Sequence, residues 1–568
     1  MIQKINVILL LILCSASIFH CYRYSENVGI VENNILSESN IVYTSLGRIL
    51  GSTNFKTRLG KIIYAFRGIR FAEPPIGNRR FQPPEPRRSW GDDILNATEE
   101  GPACPQTVRI TSEFPYRISE DCLRLNIYTT KMPGGLDNSL RPVMVFFHSG
   151  EFYGMSGISY FLGPEYLLDA DNILVTVNYR LGALGFISTG DEHAPGNLGL
   201  KDQVFALRWI QNHIQDFGGD PNQVTIMGSS VALHLVSPMS KGLFHRGIVM
   251  SGLPKATLET PKHQYHLAEK QAELLDCPSS NSLEILECLK TKDAEDISTT
   301  LSSFQELGLD PILIWKPVVE PAHSGEKFLT DDPNKLFKEG KFTKVPILCG
   351  ITDNEFAYLA YEVVNNKTVL NEWNNNFAYA APIGIGYERN TSRSKNISDS
   401  LRSFYFSDSE INESTVEQLG KMYADGMAGF VMNRFANLIS QWNPFPIYFY
   451  KFAYKGLNSY FYLPKLNRPI GPVHYDDLIY IFFIRHQKFP LFGPNDPAIR
   501  TVERMTKLYT NFAKFGNPTP EKDPITDRVI WEPFTSDNKK YMNIQCTLKM
   551  KQDMFAERYA IWNRLFPI

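Results

Sequence analysis

The sequence has almost no charge imbalance. Its 58 Lys and Arg residues stand against 60 Asp and Glu, a net charge of −2 with histidine neutral. So weak a net field argues against nucleic acid as a partner and gives no reason to expect an anionic membrane surface. The chain also lacks any apolar run of the roughly 20 residues that a spanning helix needs. The nearest candidate, Ile5 to Leu13 behind Lys4, is shorter and leads into small residues at Ser15 to Ser17. A positive start, a short apolar core and small residues, in that order, predict a secretory signal peptide over residues 1–21 rather than a signal anchor. No short-period repeat and no low-complexity linker breaks up the rest. Residues 22–568 are therefore expected to form a single domain with long insertions.

Cysteine is scarce, with eight in 568 residues, and Cys14 and Cys21 lie in or beside the signal. Cys104 with Cys122 and Cys277 with Cys288 are two sequence-local pairs, which suit an oxidising compartment. Connectivity stays open at this level, with Cys349 and Cys546 also present. Cys349 sits in the apolar run VPILCG and reads as a buried free thiol. Asn-x-Ser/Thr acceptors begin at Asn96, Asn366, Asn390, Asn396 and Asn412, three of them within the polar stretch from Glu388 to Ser414. Behind a signal peptide they predict an exposed, glycosylated surface and a secreted, extracellular product.

Apolar runs of strand length recur at Val143 to Phe147, Ile173 to Val177, Val224 to Met227, Gly247 to Met250, Val345 to Leu348 and Ile447 to Phe452. Helix-like segments alternate with them. The clearest spans Leu200 to Phe217, where Leu200, Val204, Leu207, Ile210, Ile214 and Phe217 form one stripe and Gly218-Gly219 supplies a stop. This alternation predicts an α/β fold with a mostly parallel central sheet flanked by helices on both faces. Ligands of such sheets bind beyond the carboxyl ends of the strands. The residues just past those ends are His148-Ser149-Gly150-Glu151, Gly228-Ser229-Ser230 and Gly350 to Glu355, with His474 in a far downstream loop. Serine, acid and histidine occur in the chain order expected of α/β-hydrolases. Taken singly, Glu355 reads equally as a solvated loop acid, His474 as a surface ion-pair histidine beside Asp476 and Asp477, and Ser230 as a helix N-cap.

Longer motifs bear on that choice. AFRGIRFAEPPIGNRRF, EDCLRLNIY (Glu120 to Tyr128), the block from Gly196 to Gly228, SPMSKGLFHRGIVMSG, GPVHYDDLIYIF and TNFAKFGNP follow one another in register. Together they resemble the type-B carboxylesterases, the family of cholinesterases, insect esterases and non-catalytic cholinesterase-like adhesion proteins, over nearly all of the mature chain. The resemblance implies an α/β-hydrolase fold and disulfides Cys104–Cys122 and Cys277–Cys288. It further implies two-step ester hydrolysis through an acyl-enzyme, with Ser230 as nucleophile, His474 as base and Glu355 orienting it. Backbone amides of Gly150, Glu151 and Val231 would cradle the oxyanion. The implied partner is a small carboxylic ester, with no metal or organic cofactor. The family's choline-binding tryptophan would lie between Cys104 and Cys122; none is there, which argues against a cholinesterase specificity.

Three departures concern chemistry. The family pattern Gly-Glu-Ser-Ala-Gly-Gly-Ala-Ser-Val-x-Leu-His-Leu is met by Gly228-Ser229-Ser230-Val231-Ala232-Leu233-His234-Leu235, so five residues are missing between aligned flanks. In a helix that is ~7.5 Å of rise and ~140° beyond a full turn. Either the corner keeps its shape and the helix residues leave their packing surface, or they stay docked and the corner distorts. Burial of a large apolar side chain stabilises by about 1.5–3 kcal/mol, against roughly 1–3 kcal/mol stored in a strained corner, which predicts that packing wins in part. A coding segment lost at a splice junction would leave the same flanks. Second, Glu151 stands where glycine is usual; its angles are disfavoured there, and its carboxylate at ~5 Å would oppose an oxyanion by roughly 3 kcal/mol. Third, Ser229 replaces the usual acid. These departures keep open an alternative, a catalytically inactive binding or adhesion protein on the same fold, although such relatives usually carry a membrane anchor and the ending Phe566-Pro567-Ile568 gives no reason to expect one.

Overall fold

The computed structural model describes residues 40–568, apart from 108–116, 134–138, 253–258, 324, 408 and 464–467. The signal peptide expected at residues 1–21, with Cys14 and Cys21, lies outside the described residues. Val42–Ile568 clusters as one unit.

Among the described residues the largest sheet has 11 strands. In chain order they are β1 (Ser52–Lys56), β2 (Ile62–Arg70), β3 (Arg124–Thr129), β4 (Arg141–Phe147), β5 (Ile173–Val177), β6 (Gly219–Gly228), β7 (Arg246–Met250), β8 (Ile347–Thr352), β9 (Ile447–Phe452), β10 (Lys540–Ile544) and β11 (Leu548–Gln552). Across the sheet the order is β11-β10-β9-β8-β7-β6-β4-β5-β3-β2-β1. From β5 to β10 every neighbour is parallel, and antiparallel pairs close both flanks. The parallel strands are apolar on both faces because both faces are covered. In β4, Val143, Val145 and Phe147 enter one core with α1 (Leu198–His213) and α2 (Val231–Val236), while Met144 and Phe146 enter a second core with α3 (Ile499–Phe515). Alternate side chains point to opposite faces, so one strand serves two cores.

The helix expected at Leu200 to Phe217 ends at His213. Its last turn tightens into a 3-10 turn, Ile214–Phe217, closed by Gly218 at φ +80°. Strands β1 to β3, β10 and β11 were absent from the apolar-run reading. β3 reads RLNIYT, and its apolar run is broken by Asn126. That buried side chain accepts from Gly68 N at 2.8 Å and donates to Gly157 O at 2.9 Å, so a polar residue does structural work inside the sheet.

Register sets where chemistry can occur. Phe147 pairs with Gly228, Gly228 with Val249, and Met250 with Gly350, so four adjacent strands end level and release their loops at one edge. The helix α1 is tied to the loop after β5 by a buried fork: Arg180 Nε and Nη2 donate to Asp202 Oδ2 and Oδ1 at 2.8 and 2.7 Å. Removing one partner of such a pair strands a buried charge. Asp202→Ala is expected to lower unfolding free energy in urea by about 3–5 kcal/mol, and a loss below about 1 kcal/mol would show that the fork carries no such weight.

Candidate active site

The corner after β6 is relaxed. Gly228 carries the positive φ, +133°, and a Cβ there would meet Phe147 O at 2.3 Å, so only glycine fits. Neither Ser229 nor Ser230 has a positive φ, and Ser230 sits at φ −78°, ψ −7°, in the right-handed helical region. A nucleophile elbow is a sharp, strained turn that exposes its serine; this one is neither. Ser230 is the residue preceding α2, the N-cap position, and is 2% exposed. Its hydroxyl donates to Gln203 Oε1 at 2.8 Å, an atom shared with His234 Nε2 at 2.8 Å. Burial pushes His234 down to about 3, so the ring is neutral at ordinary pH. Its Nε2–H then donates to Gln203, and Nδ1 accepts from Ser240 Oγ at 2.8 Å. All six residues of α2 stay buried. The helix has kept its packing, and the missing residues are taken up at the corner.

The histidine and acid meet. His474 Nδ1 lies 2.6 Å from Glu355 Oε2. Glu355 is fully buried, its Oε1 accepting from Thr352 N at 2.8 Å and from the Ser251 hydroxyl. The solvated-acid reading of Glu355 and the surface-histidine reading of His474 do not hold, since His474 is buried too and stacks on Phe356 at 4.2 Å between ring centres. Asp476 fixes the histidine loop by accepting from Val473 N at 3.1 Å and Tyr460 N at 2.8 Å.

The oxyanion loop brings a second carboxylate. Gly150 has φ +112°, and a Cβ there would meet Gly154 O at 2.3 Å. Glu151 follows at φ +50°. The left-handed conformation disfavoured for a non-glycine residue is thus adopted, with the carboxylate fixed in exchange: Glu151 Oε1 accepts from Tyr475 OH at 2.7 Å and lies 3.7 Å from His474 Nε2. The ring nitrogen that would serve a serine hydroxyl therefore faces a carboxylate. Burial alone would lower the His474 pKa, but the charge and hydrogen bond of Glu355 and the charge of Glu151 outweigh it, and the net shift is upward from 6.5. Asp477 behind it is pushed up to about 6, by burial first and then by Glu355.

These groups open on a cavity of ≈ 320 Å³ lined by Glu151, Phe152, Ser229, Leu233 and His474, among others. Of the residues singled out from sequence, Glu355, His474 and Glu151 are brought together, with Gly150 in the turn beside them. Val231 begins α2 with a buried side chain. Ser230 is turned to Gln203, while the half-buried Ser229 beside it lines the cavity. Sequence reasoning gave no role to Ser251 or Tyr475 and took Asp476 only as a possible ion-pair partner of His474; the last two follow His474 in a run already singled out. Both expected disulfides are formed, Cys104–Cys122 and Cys277–Cys288, and Cys349 is free and buried while Cys546 is free and exposed. Asn96, Asn366, Asn390, Asn396 and Asn412 are all exposed. No helix of the described residues is long and apolar enough to cross a membrane.

A parallel sheet with an acid–imidazole pair at its carboxyl edge is the α/β-hydrolase arrangement. The chain belongs to the carboxylesterase family, whose sequence model matches residues 38–562. It is 39% identical over 495 residues to esterase FE4 of Myzus persicae, covering 84% of this chain and 85% of that one. It is 35% identical over 513 residues to a juvenile hormone esterase of Tribolium castaneum, with 85% and 84% covered. The crystal structure of juvenile hormone esterase from Manduca sexta, with OTFP covalently attached, superposes with a TM-score of 0.79 at 26% identity, covering 93% of this chain and 99% of that one. By family the chain is a serine carboxylic ester hydrolase, and relatives bearing esterase names do not favour the adhesion alternative.

The charge around His474 has a measurable signature. Its raised pKa means that protonated His474 adds stability that is complete below 6.5 and is lost as pH rises through the folded value. NMR titration of histidine-labelled protein is expected to put its midpoint above 6.5, and Glu151→Gln, which removes one of the raising charges, is expected to lower it. A native midpoint at or below 6.5 would contradict the geometry.

Proposed function

We propose that this chain hydrolyses lipophilic carboxylic esters in the cavity beside His474, through an acyl-enzyme and without a metal or organic cofactor. The observation that carries the reading is the 2.6 Å contact of His474 with fully buried Glu355, which fixes the imidazole so that Nε2, once it has given up its proton beside Glu151, can work as a base at the cavity. Ser230, matched by motif, is the nucleophile, and its hydroxyl must leave Gln203 and turn into a strained corner before it attacks. That strain costs roughly 1–3 kcal/mol, a slowing of about 5- to 150-fold. Amides of Gly150, Glu151 and Val231 receive the oxyanion, opposed by the Glu151 carboxylate. Turnover is therefore slow. A second reading makes Ser229 the nucleophile; it is favoured by one observation, that Ser229 and His474 line the same cavity. The esterase names of the relatives support ester substrates, and the cavity lining of Leu267, Ile312 and Ile314 supports apolar ones.

A fluorophosphonate probe separates the two serines. The labelled peptide is expected to map to Ser230, with labelling lost in Ser230→Ala and kept in Ser229→Ala. The reverse pattern assigns Ser229. Folded protein that takes no label at either serine would overturn the hydrolase reading of this chain.

We also propose that the protein is secreted and glycosylated, which two disulfides and five exposed acceptor asparagines support. Protein collected from the medium of insect cells should lose mass on treatment with an N-glycosidase; an unchanged mass would remove the glycosylation reading.

A further inference from the structure

The cavity beside His474 is lined by apolar Leu267, Ile312, Leu313 and Ile314 and by basic His263, His266 and Lys316. The three basic residues are held by one clamp. Gln264, itself buried, accepts from Lys316 N through Oε1 at 3.0 Å and donates to Lys316 O through Nε2 at 2.9 Å. Gln264 lies between His263 and His266 in sequence, so the clamp sets both segments against each other. His263 Nδ1 accepts from Tyr265 N at 3.3 Å, which leaves Nε2–H as the donor this ring can offer.

Acid shares the cavity without pairing with this cluster: Glu151 lines it too, but is turned to Tyr475 and His474. Among the described residues no carboxylate lies within ion-pairing distance of Lys316. Glu306 also lines the cavity but is taken by Arg389, whose Nη1 reaches its two oxygens at 2.9 and 2.7 Å. Glu259 is exposed at the rim, and Glu269 acts on His266. Burial and then Arg389 hold the Lys316 ammonium below its ordinary value, and burial, His263 and Lys316 do the same to His266. A partly desolvated cation without a partner is unfavourable, and an anion brought beside it removes that cost.

We propose that Lys316, with His266 and His263, recognises an anionic oxygen group on the substrate, so that the cavity takes amphiphilic esters in which an apolar segment separates the ester from a negative charge. This rests on the cavity being the ester site, and its test therefore reads binding rather than turnover. Octanoate and octan-1-ol share their apolar chain and differ in charge. By calorimetric titration the native protein should bind octanoate at one site at least about tenfold tighter than octan-1-ol. Lys316→Gln should bring the two affinities within about twofold, and Lys316→Arg should keep the preference. Equal affinities in the native protein overturn the proposal whatever the variants do. So does a preference that survives in Lys316→Gln. Failure of fluorophosphonate labelling with this preference intact would leave recognition standing and remove only the hydrolysis.

Discussion

The short corner between Gly228 and Val231 is the constraint on which the site depends. On one side β6 is pinned between β4 and β7, with Gly228 level with Phe147 and Val249. On the other, every residue of α2 is buried, and His234 is bonded at both ring nitrogens. Neither side can give way cheaply. Sliding β6 would break two ladders, and undocking α2 would expose Leu233, Leu235 and Val236 at about 1.5–3 kcal/mol each. A strained elbow would cost roughly 1–3 kcal/mol with no ladder or docked helix to offset it, so the corner is what yields. Ser230 settles into an ordinary helical conformation and finds Gln203.

What the corner vacates, the oxyanion loop fills. Ser230 is bonded to Gln203, and what faces His474 Nε2 is Glu151, 3.7 Å away and steadied by Tyr475. An imidazole between two carboxylates holds its proton more tightly. That favours the charged ring just where a base must be neutral. On the proposed mechanism the two departures bear on one side chain: Ser230 is turned to Gln203, and the Glu151 carboxylate faces the His474 nitrogen that would take its proton. The other groups at this sheet edge are firmly held. Glu355 is buried and saturated with donors, the histidine loop is fixed by Asp476, and the cavity persists.

Legibility in the sequence followed the physics of each element. Parallel strands were plain because burial on both faces leaves an uninterrupted apolar run, as in PVMVFF and ILVTV. The flanking strands were not, because a polar side chain can be satisfied inside a sheet, as Asn126 is, and alternation then fades. The pairing of Glu355 with His474 was legible from family motifs and chain order, since both stand in loops that register delivers to one edge. The direction of the Ser230 hydroxyl was not legible. It depends on whether a helix or a turn absorbs a deletion, and that is decided by helix docking against α1 and the sheet, which no local pattern records. The fate of Glu151 was hidden likewise. A residue read only as repelling an oxyanion is also held by a tyrosine 324 positions away in the chain.

Restoring the corner tests this account most directly. Insertion of Ala-Gly-Gly-Ala-Ser between Ser230 and Val231 gives the chain back its helical rise without touching His474, Glu355 or Glu151. Hydrolysis of p-nitrophenyl butyrate by the lengthened chain is predicted to exceed that of the natural one by about tenfold or more, since strain and serine placement no longer compete with packing. A lengthened protein that folds with an unchanged Tm and hydrolyses no faster would contradict the claim that corner length governs this site.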